Sequence, residues 1–88
     1  MISEKQLIND CQKGIKSSQY KLVRRYSGML MKVSRRYVSD QASAKDVVQE
    51  SFILIFRYID KFKNTGSFEG WIRKITVRCA LQWIGKSH

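Results

Sequence analysis

DVVQESFILIFRYIDKF, residues 46–62, carries the pattern on which the fold turns. Val48, Phe52, Ile55 and Ile59 recur at steps of four, three and four. That step gathers side chains on one face of an α-helix and scatters them across both faces of a strand. Phe56 falls at the edge of the apolar face. The opposite face carries Asp46, Glu50, Ile53 and Arg57, with Gln49 alongside. An acid in the first turns of a helix is favoured by the macrodipole, which accounts for Asp46. It accounts less well for Glu50 and not at all for Ile53. An apolar residue ringed by polar groups is a common form of a docking face. With Asp40 or Ser43 as N-cap, the pattern predicts a helix over about 41–60.

The same periodicity recurs on both sides, and strand-like alternation is absent. Over about 17–37, Leu22, Val23, Tyr26, Met29, Leu30, Val33 and Tyr37 form one stripe. Lys21, Arg24, Arg25, Lys32, Arg35 and Arg36 gather on the other side, where like charges repel with no acid to offset them. A first helix is expected over about 4–13. Ser3 would cap it, Leu7, Ile8 and Cys11 would face inward, and Lys13-Gly14 would stop it. A fourth is expected over about 68–85, with Ser67 as N-cap and Gly70 at the third helical position. Its core face would be Phe68, Trp71, Ile72, Ile75, Cys79 and Trp83. A second apolar strip, Val77, Leu81 and Ile84, suggests a helix wedged between others. The fold class is therefore all-α, a compact bundle of about four helices in one domain.

Charge is distributed unevenly. The chain has 17 Lys and Arg against 7 Asp and Glu, a formal net charge of +10. Residues 17–39 carry six cations and no acid, and residues 51–88 carry seven cations and two acids. Between them, residues 40–50 hold three acids and one Lys. Two basic blocks thus flank one acidic island. A balance this basic in a small domain favours a polyanionic partner, nucleic acid above all.

Several classes of chemistry are missing. No nucleophile–base pair, HExxH, P-loop or GxGxxG is present, so no enzyme, catalytic residue or cofactor is expected. Cys11 and Cys79 belong to no metal or redox spacing and read as buried free thiols, with no metal site. His88, the single histidine, is read as a chain end. No apolar run approaches the ~20 residues of a membrane span, and there is no secretory segment. The expected setting is the cytoplasm.

Phe62, Lys63, Asn64, Thr65, Gly66 and Ser67 put an aromatic ring, a cation, an amide, two hydroxyls and a glycine in one short segment. Single-stranded nucleic acid is held by that mixture of stacking, phosphate and base-edge contacts. The helix N-terminus that follows favours a phosphate. The competing reading is an ordinary polar turn in which Phe62 closes the core.

Residues 46–62, followed by GSFEGWIRKITVRCALQWI at 66–84 and preceded by RRYSGMLMKVSRRYVSD at 24–40, resemble region 2 of bacterial RNA polymerase sigma factors. The extracytoplasmic-function group is the nearer likeness. The resemblance implies an alternative sigma factor domain spanning residues 1–88, with the C-terminal −35-binding domain absent from this chain. It implies that Asp46, Gln49 and Glu50 dock on the beta-prime clamp helices of core RNA polymerase, with Ile53 adding apolar contact. It implies that Phe62, Lys63, Asn64, Thr65, Gly66 and Ser67, with Arg73, Lys74, Arg78 and Gln82 on the next helix, take the non-template single strand of the promoter −10 element. An anti-sigma factor masking the clamp-binding face is a further partner of such proteins. One departure stands out. Housekeeping sigma factors carry an aromatic pair where this chain has Gly70-Trp71, which implies weaker melting and a stricter promoter requirement.

Two rival classes fit parts of the pattern. One is a stand-alone duplex-DNA-binding regulator, which would need base-reading side chains at the start of a protruding helix. The other is a protein-interaction module whose basic face only solubilises it.

Overall fold

The computed structural model describes residues 2–86. Helix α1 runs Glu4–Gln12, α2 Lys16–Arg35, α3 Gln41–Tyr58 and α4 Phe68–Lys86, with a 3-10 turn at Ile59–Lys61 between the last two. No strand occurs among the described residues. His88, read from the sequence as an inert chain end, lies outside them.

The helix ends follow local chemistry. Ser3 Oγ accepts the Gln6 amide at the start of α1. Gly14, at φ 79°, closes α1: its amide donates to the Cys11 carbonyl and the Ile15 amide to that of Asp10. Asp40, not Ser43, is the N-cap of α3, with its carboxylate accepting the Ser43 amide at 3.0 Å. The hydrogen bonds from Ser43 hold the Asp40 carboxyl below its ordinary value. Ser67 caps α4 as expected, its Oγ accepting the Gly70 amide at 3.0 Å.

Two boundaries differ from the sequence expectation, each for a reason that affects the core. Helix α2 stops at Arg35, and the amides of Tyr37 and Val38 both donate to the Ser34 carbonyl. That turn takes Tyr37 out of the apolar stripe, leaving it 40% exposed, and buries Val38 instead. Helix α3 tightens into the 3-10 turn at Ile59, which keeps Ile59 buried while the chain leaves the bundle.

The core has two parts. The larger joins Leu7, Ile8 and Cys11 of α1, Leu22, Tyr26 and Leu30 of α2, Val48, Phe52 and Ile55 of α3, and Phe68 and Ile72 of α4. Each such aliphatic or aromatic side chain contributes roughly 1.5–3 kcal/mol relative to exposure. The smaller part joins Val38, Val47, Cys79 and Ala80, with Leu54, Ile75, Trp83 and Ile84 packed against it. Helix α4 rests on both α3 and α2, as the wedged reading requires. Its second strip is not buried throughout, however: Leu81 is 54% exposed and Val77 and Ile84 are half-buried. Ala44, Ala80, Ser34, Ser51 and Thr76 fill the helix contacts instead, all fully buried. The Ser51 and Thr76 hydroxyls donate back to the carbonyls of Val47 and Ile72. Both cysteines are free and buried, and burial pushes the Cys11 thiol up to about 11 and raises that of Cys79.

Candidate nucleic-acid interface and docking ridge

The segment between the 3-10 turn and α4 forms the lip of a cleft of about 570 Å³. Phe62, Lys63, Thr65, Gly66, Ser67 and Lys74 line it, all six expected from the sequence. Lys61, Gly70 and Trp71 line it as well and were not expected there. Asn64 is exposed and is not among the lining residues. It turns the chain instead, at φ 56°. Asn accepts that left-handed conformation better than most side chains, so the turn falls on Asn64 and not on Gly66.

The wall of the cleft is aromatic. Phe62 packs edge-on to the buried Phe68 and tilts against Trp71, with both ring-centroid distances at 5.3 Å. Trp71 in turn meets Phe68 at 5.8 Å. Lys61, Lys63 and Lys74 place three cations around these rings. Flat rings beside cations suit a base and its phosphate, and the half-buried edges of Phe62 and Trp71 offer the apolar contact. The first turn of α4 adds amides that favour an anion.

Arg73, Lys74 and Arg78 continue from the cleft along α4. With Gly70, Val77 and Leu81 they bound a second, mainly apolar depression of about 490 Å³. Gly70 and Lys74 line both depressions, so the two surfaces are continuous. Arg73 reaches across to α2, donating to Met29 Sδ at 3.7 Å. Gln82 does not join this surface. It lies with Asp46, Glu50, Trp83 and Lys86 in a groove between α3 and α4. The resemblance had put Gln82 with Arg78 among the strand-binding residues, whereas Gln82 lines the groove on the acidic side.

Asp46, Gln49, Glu50 and Ile53 are all exposed along α3, and Ile53 is 54% exposed. They form one ridge with a groove on each flank. On one side are Gln82 and Lys86. On the other, Gln49 borders an apolar groove against α2, floored by Val23, Met31, Val48 and Phe52. Among the described residues no cluster of His, Cys, Asp or Glu could hold a metal ion, and no helix is long and apolar enough to cross a membrane.

The family description "Sigma-70 region 2" matches residues 22–88, which take in α2 from Leu22 onward, α3, α4 and the whole cleft. The chain belongs to the sigma-70 region 2 family. Among its relatives are the ECF RNA polymerase sigma-E factor of Haemophilus influenzae, 34% identical over 94% of this chain, and that of Escherichia coli, 31% identical over 94%. The chain spans 43% of the length of both, so it matches less than half of those proteins. The ECF sigma factor SigE of Mycolicibacterium smegmatis is 33% identical over 72% of this chain. An NMR structure of an engineered region 2 of sigmaE in complex with GTAAAA superposes with a TM-score of 0.85 at 31% identity, covering 97% of this chain and 93% of that one. The region 2 fold expected from the sequence is thus the fold observed. Helix α1 lies before the residues that the family description matches.

Proposed function

We propose that residues 1–88 act as one domain of an alternative sigma factor, with two partners on separate surfaces. The α3 ridge of Asp46, Gln49, Glu50 and Ile53 docks on the beta-prime clamp helices of core RNA polymerase. The cleft and the α4 row of Arg73, Lys74 and Arg78 take the non-template strand of the promoter −10 element. The observation that carries this reading is the cleft itself, which sets the aromatic rings of Phe62 and Trp71 among Lys61, Lys63 and Lys74. The neighbour in complex with GTAAAA supports it, because the cleft belongs to the part of the chain that superposes.

Each surface has a physical task. Extruding a base from a duplex costs a few kcal/mol, which ring and phosphate contacts in the cleft must offset. The cations supply a salt-sensitive, sequence-independent share of the affinity. The acids of the ridge give the otherwise basic domain a face complementary to a basic partner, which sets register and on-rate. Such a domain selects a melted strand and turns over no substrate, and it works where core polymerase is, in the cytoplasm. A duplex reader is disfavoured because α4 opens on Phe68 and Ile72, both buried.

The test pairs the two surfaces. Binding to a purified beta-prime clamp-helix fragment should fall about tenfold or more, about 1.4 kcal/mol, in Asp46→Ala/Glu50→Ala, with single-strand affinity unchanged. Lys63→Ala/Lys74→Ala should do the reverse. Gln82→Ala should follow the acidic pair, not the lysines. A native chain that binds duplex and single strand alike would sink the strand-capturing role.

A further inference from the structure

The cleft lip is strung between two pins, and one of them comes from the other end of the chain. Gln12 is the last residue of α1. Its side-chain amide donates to the Ile59 carbonyl at 2.8 Å and to the Phe62 carbonyl at 2.9 Å. A primary amide has two N–H donors, so both are spent on residues about fifty positions away. The two acceptors bracket the 3-10 turn, and the Phe62 amide also donates to the Ile59 carbonyl. Immediately beyond Phe62 the chain enters Lys63–Ser67, the lip itself. The far end of the lip is pinned by Ser67, whose hydroxyl caps α4.

Gln12 is itself held firmly. Leu7, Ile8 and Cys11 anchor α1 in the larger core, and the Gly14 turn fixes its last residues. The Tyr26 hydroxyl donates to the Glu4 carboxylate, and Arg25 donates to the Ile2 carbonyl, tying the start of α1 to α2. Gln12 itself is half-buried and is not part of either apolar cluster. Its distinctive contribution is the pair of hydrogen bonds, made where the backbone leaves the bundle.

We infer that Gln12 is a positioning residue for strand selection, through which α1 holds the cleft lip in its binding shape. The inference rests on the proposed reading of the cleft. A lip ordered in advance loses less freedom when a strand binds. Removing the two bonds frees the start of the lip, moves Lys63 and Thr65 relative to the Phe62–Trp71 wall, and weakens base-dependent contacts. Diffuse phosphate attraction depends on charge and survives.

The experiment uses the 88-residue chain, Gln12→Met and Gln12→Lys. Methionine keeps the length and the apolar stem and removes both donors. Lysine restores donors at similar reach. The probe is a single-stranded oligonucleotide selected on the native chain from a randomised pool, with a scrambled version of it as control. Gln12→Met should lose about tenfold in affinity for the selected strand and keep its affinity for the scrambled one. Amide exchange should rise across residues 62–67, and clamp-helix binding should stay unchanged. If Gln12→Met also lowers the melting temperature, Gln12→Lys decides: recovered selectivity supports the positioning role, and recovered stability without selectivity overturns it. Native-like selectivity and exchange in Gln12→Met overturn it too. A native chain that selects no strand sinks the function of the cleft, and exchange at 62–67 then still decides whether Gln12 pins the lip.

Discussion

Phe62 and Trp71 meet ring to ring at the cleft wall, their centroids 5.3 Å apart and their planes tilted by 40°. The sequence left Phe62 open between stacking on a base and closing the core. The contact with Trp71 and the edge-on contact with Phe68 make it first a part of the wall. A base can meet only what those two contacts leave uncovered. Phe62→Ala should therefore cost about 2 kcal/mol of stability, less than the 3–5 typical of a fully buried ring. Denaturant titration checks it. A variant with native stability but lost strand affinity would mean that the ring serves the base alone.

Ser34 is fully buried in α2, and its hydroxyl has no hydrogen-bond partner among the described residues. An unpaired buried hydroxyl is a net cost, so deleting it should help. Ser34→Ala is expected to raise stability by about 1 kcal/mol. Ser51→Ala is the control, because that hydroxyl is bonded to the Val47 carbonyl. Destabilisation by Ser34→Ala, measured in the same titration, would mean that the hydroxyl has a partner such as a buried water.

Asp40 gives α3 a charged cap, and the hydrogen bonds from Ser43 lower its carboxyl below the ordinary value of 3.8. A group lowered on folding stabilises the fold above its unfolded value and loses that effect as pH falls through its folded value. The native chain should thus lose an increment of stability in acid below about 3.8. Asp40→Asn caps the helix without titrating and should lack that increment. Melting temperatures of the two chains would be compared from neutral pH downward. Parallel curves would remove Asp40 as the cause.

Most of the bundle was legible because four apolar stripes and four polar ends agreed with one another. Leu22, Phe52 and Ile72 are buried as their spacing required, and Ser3, Ser67 and Gly14 mark ends as their chemistry required. Tyr37 was misplaced because periodicity assumes an unbroken helix, and α2 stops two residues earlier. Ala44, Ser34, Ser51 and Thr76 were passed over because small and hydroxylated side chains carry no hydrophobic signal, although close helix contacts need them. The cleft was visible as a local mixture of residue types in 62–67. Lys61, Gly70 and Trp71 were not counted with it because the mixture was read along the chain: Lys61 lies just before it, and Gly70 and Trp71 come round to it only through the first turn of α4. Gln12 had no signal at all, since nothing local relates a glutamine in α1 to carbonyls about fifty residues on.

Gly70 is the position where the cleft passes into the α4 row, since it lines both. It is the third residue of α4, and its amide donates to Ser67 Oγ whatever side chain stands at position 70. A Cβ there would meet Ser67 Cβ at 3.5 Å and Oγ at 3.6 Å, ordinary contact distances. Gly70→Ala should therefore fold normally and gain about 0.5 kcal/mol by reducing the freedom of the unfolded chain. Gly70→Phe tests function. Base–aromatic stacking is worth about 1–3 kcal/mol per base, and a ring at this junction would stand beside the route proposed for the strand. The variant should hold single strands more tightly and open a −10 duplex more readily on polymerase, with a broader choice of promoter. Fluorescence of a base analogue placed in the duplex would follow the opening. If Gly70→Ala behaves as the native chain while Gly70→Phe binds more weakly, the strand needs the space above the glycine. The open junction would then be a requirement of this cleft, not a missing wedge.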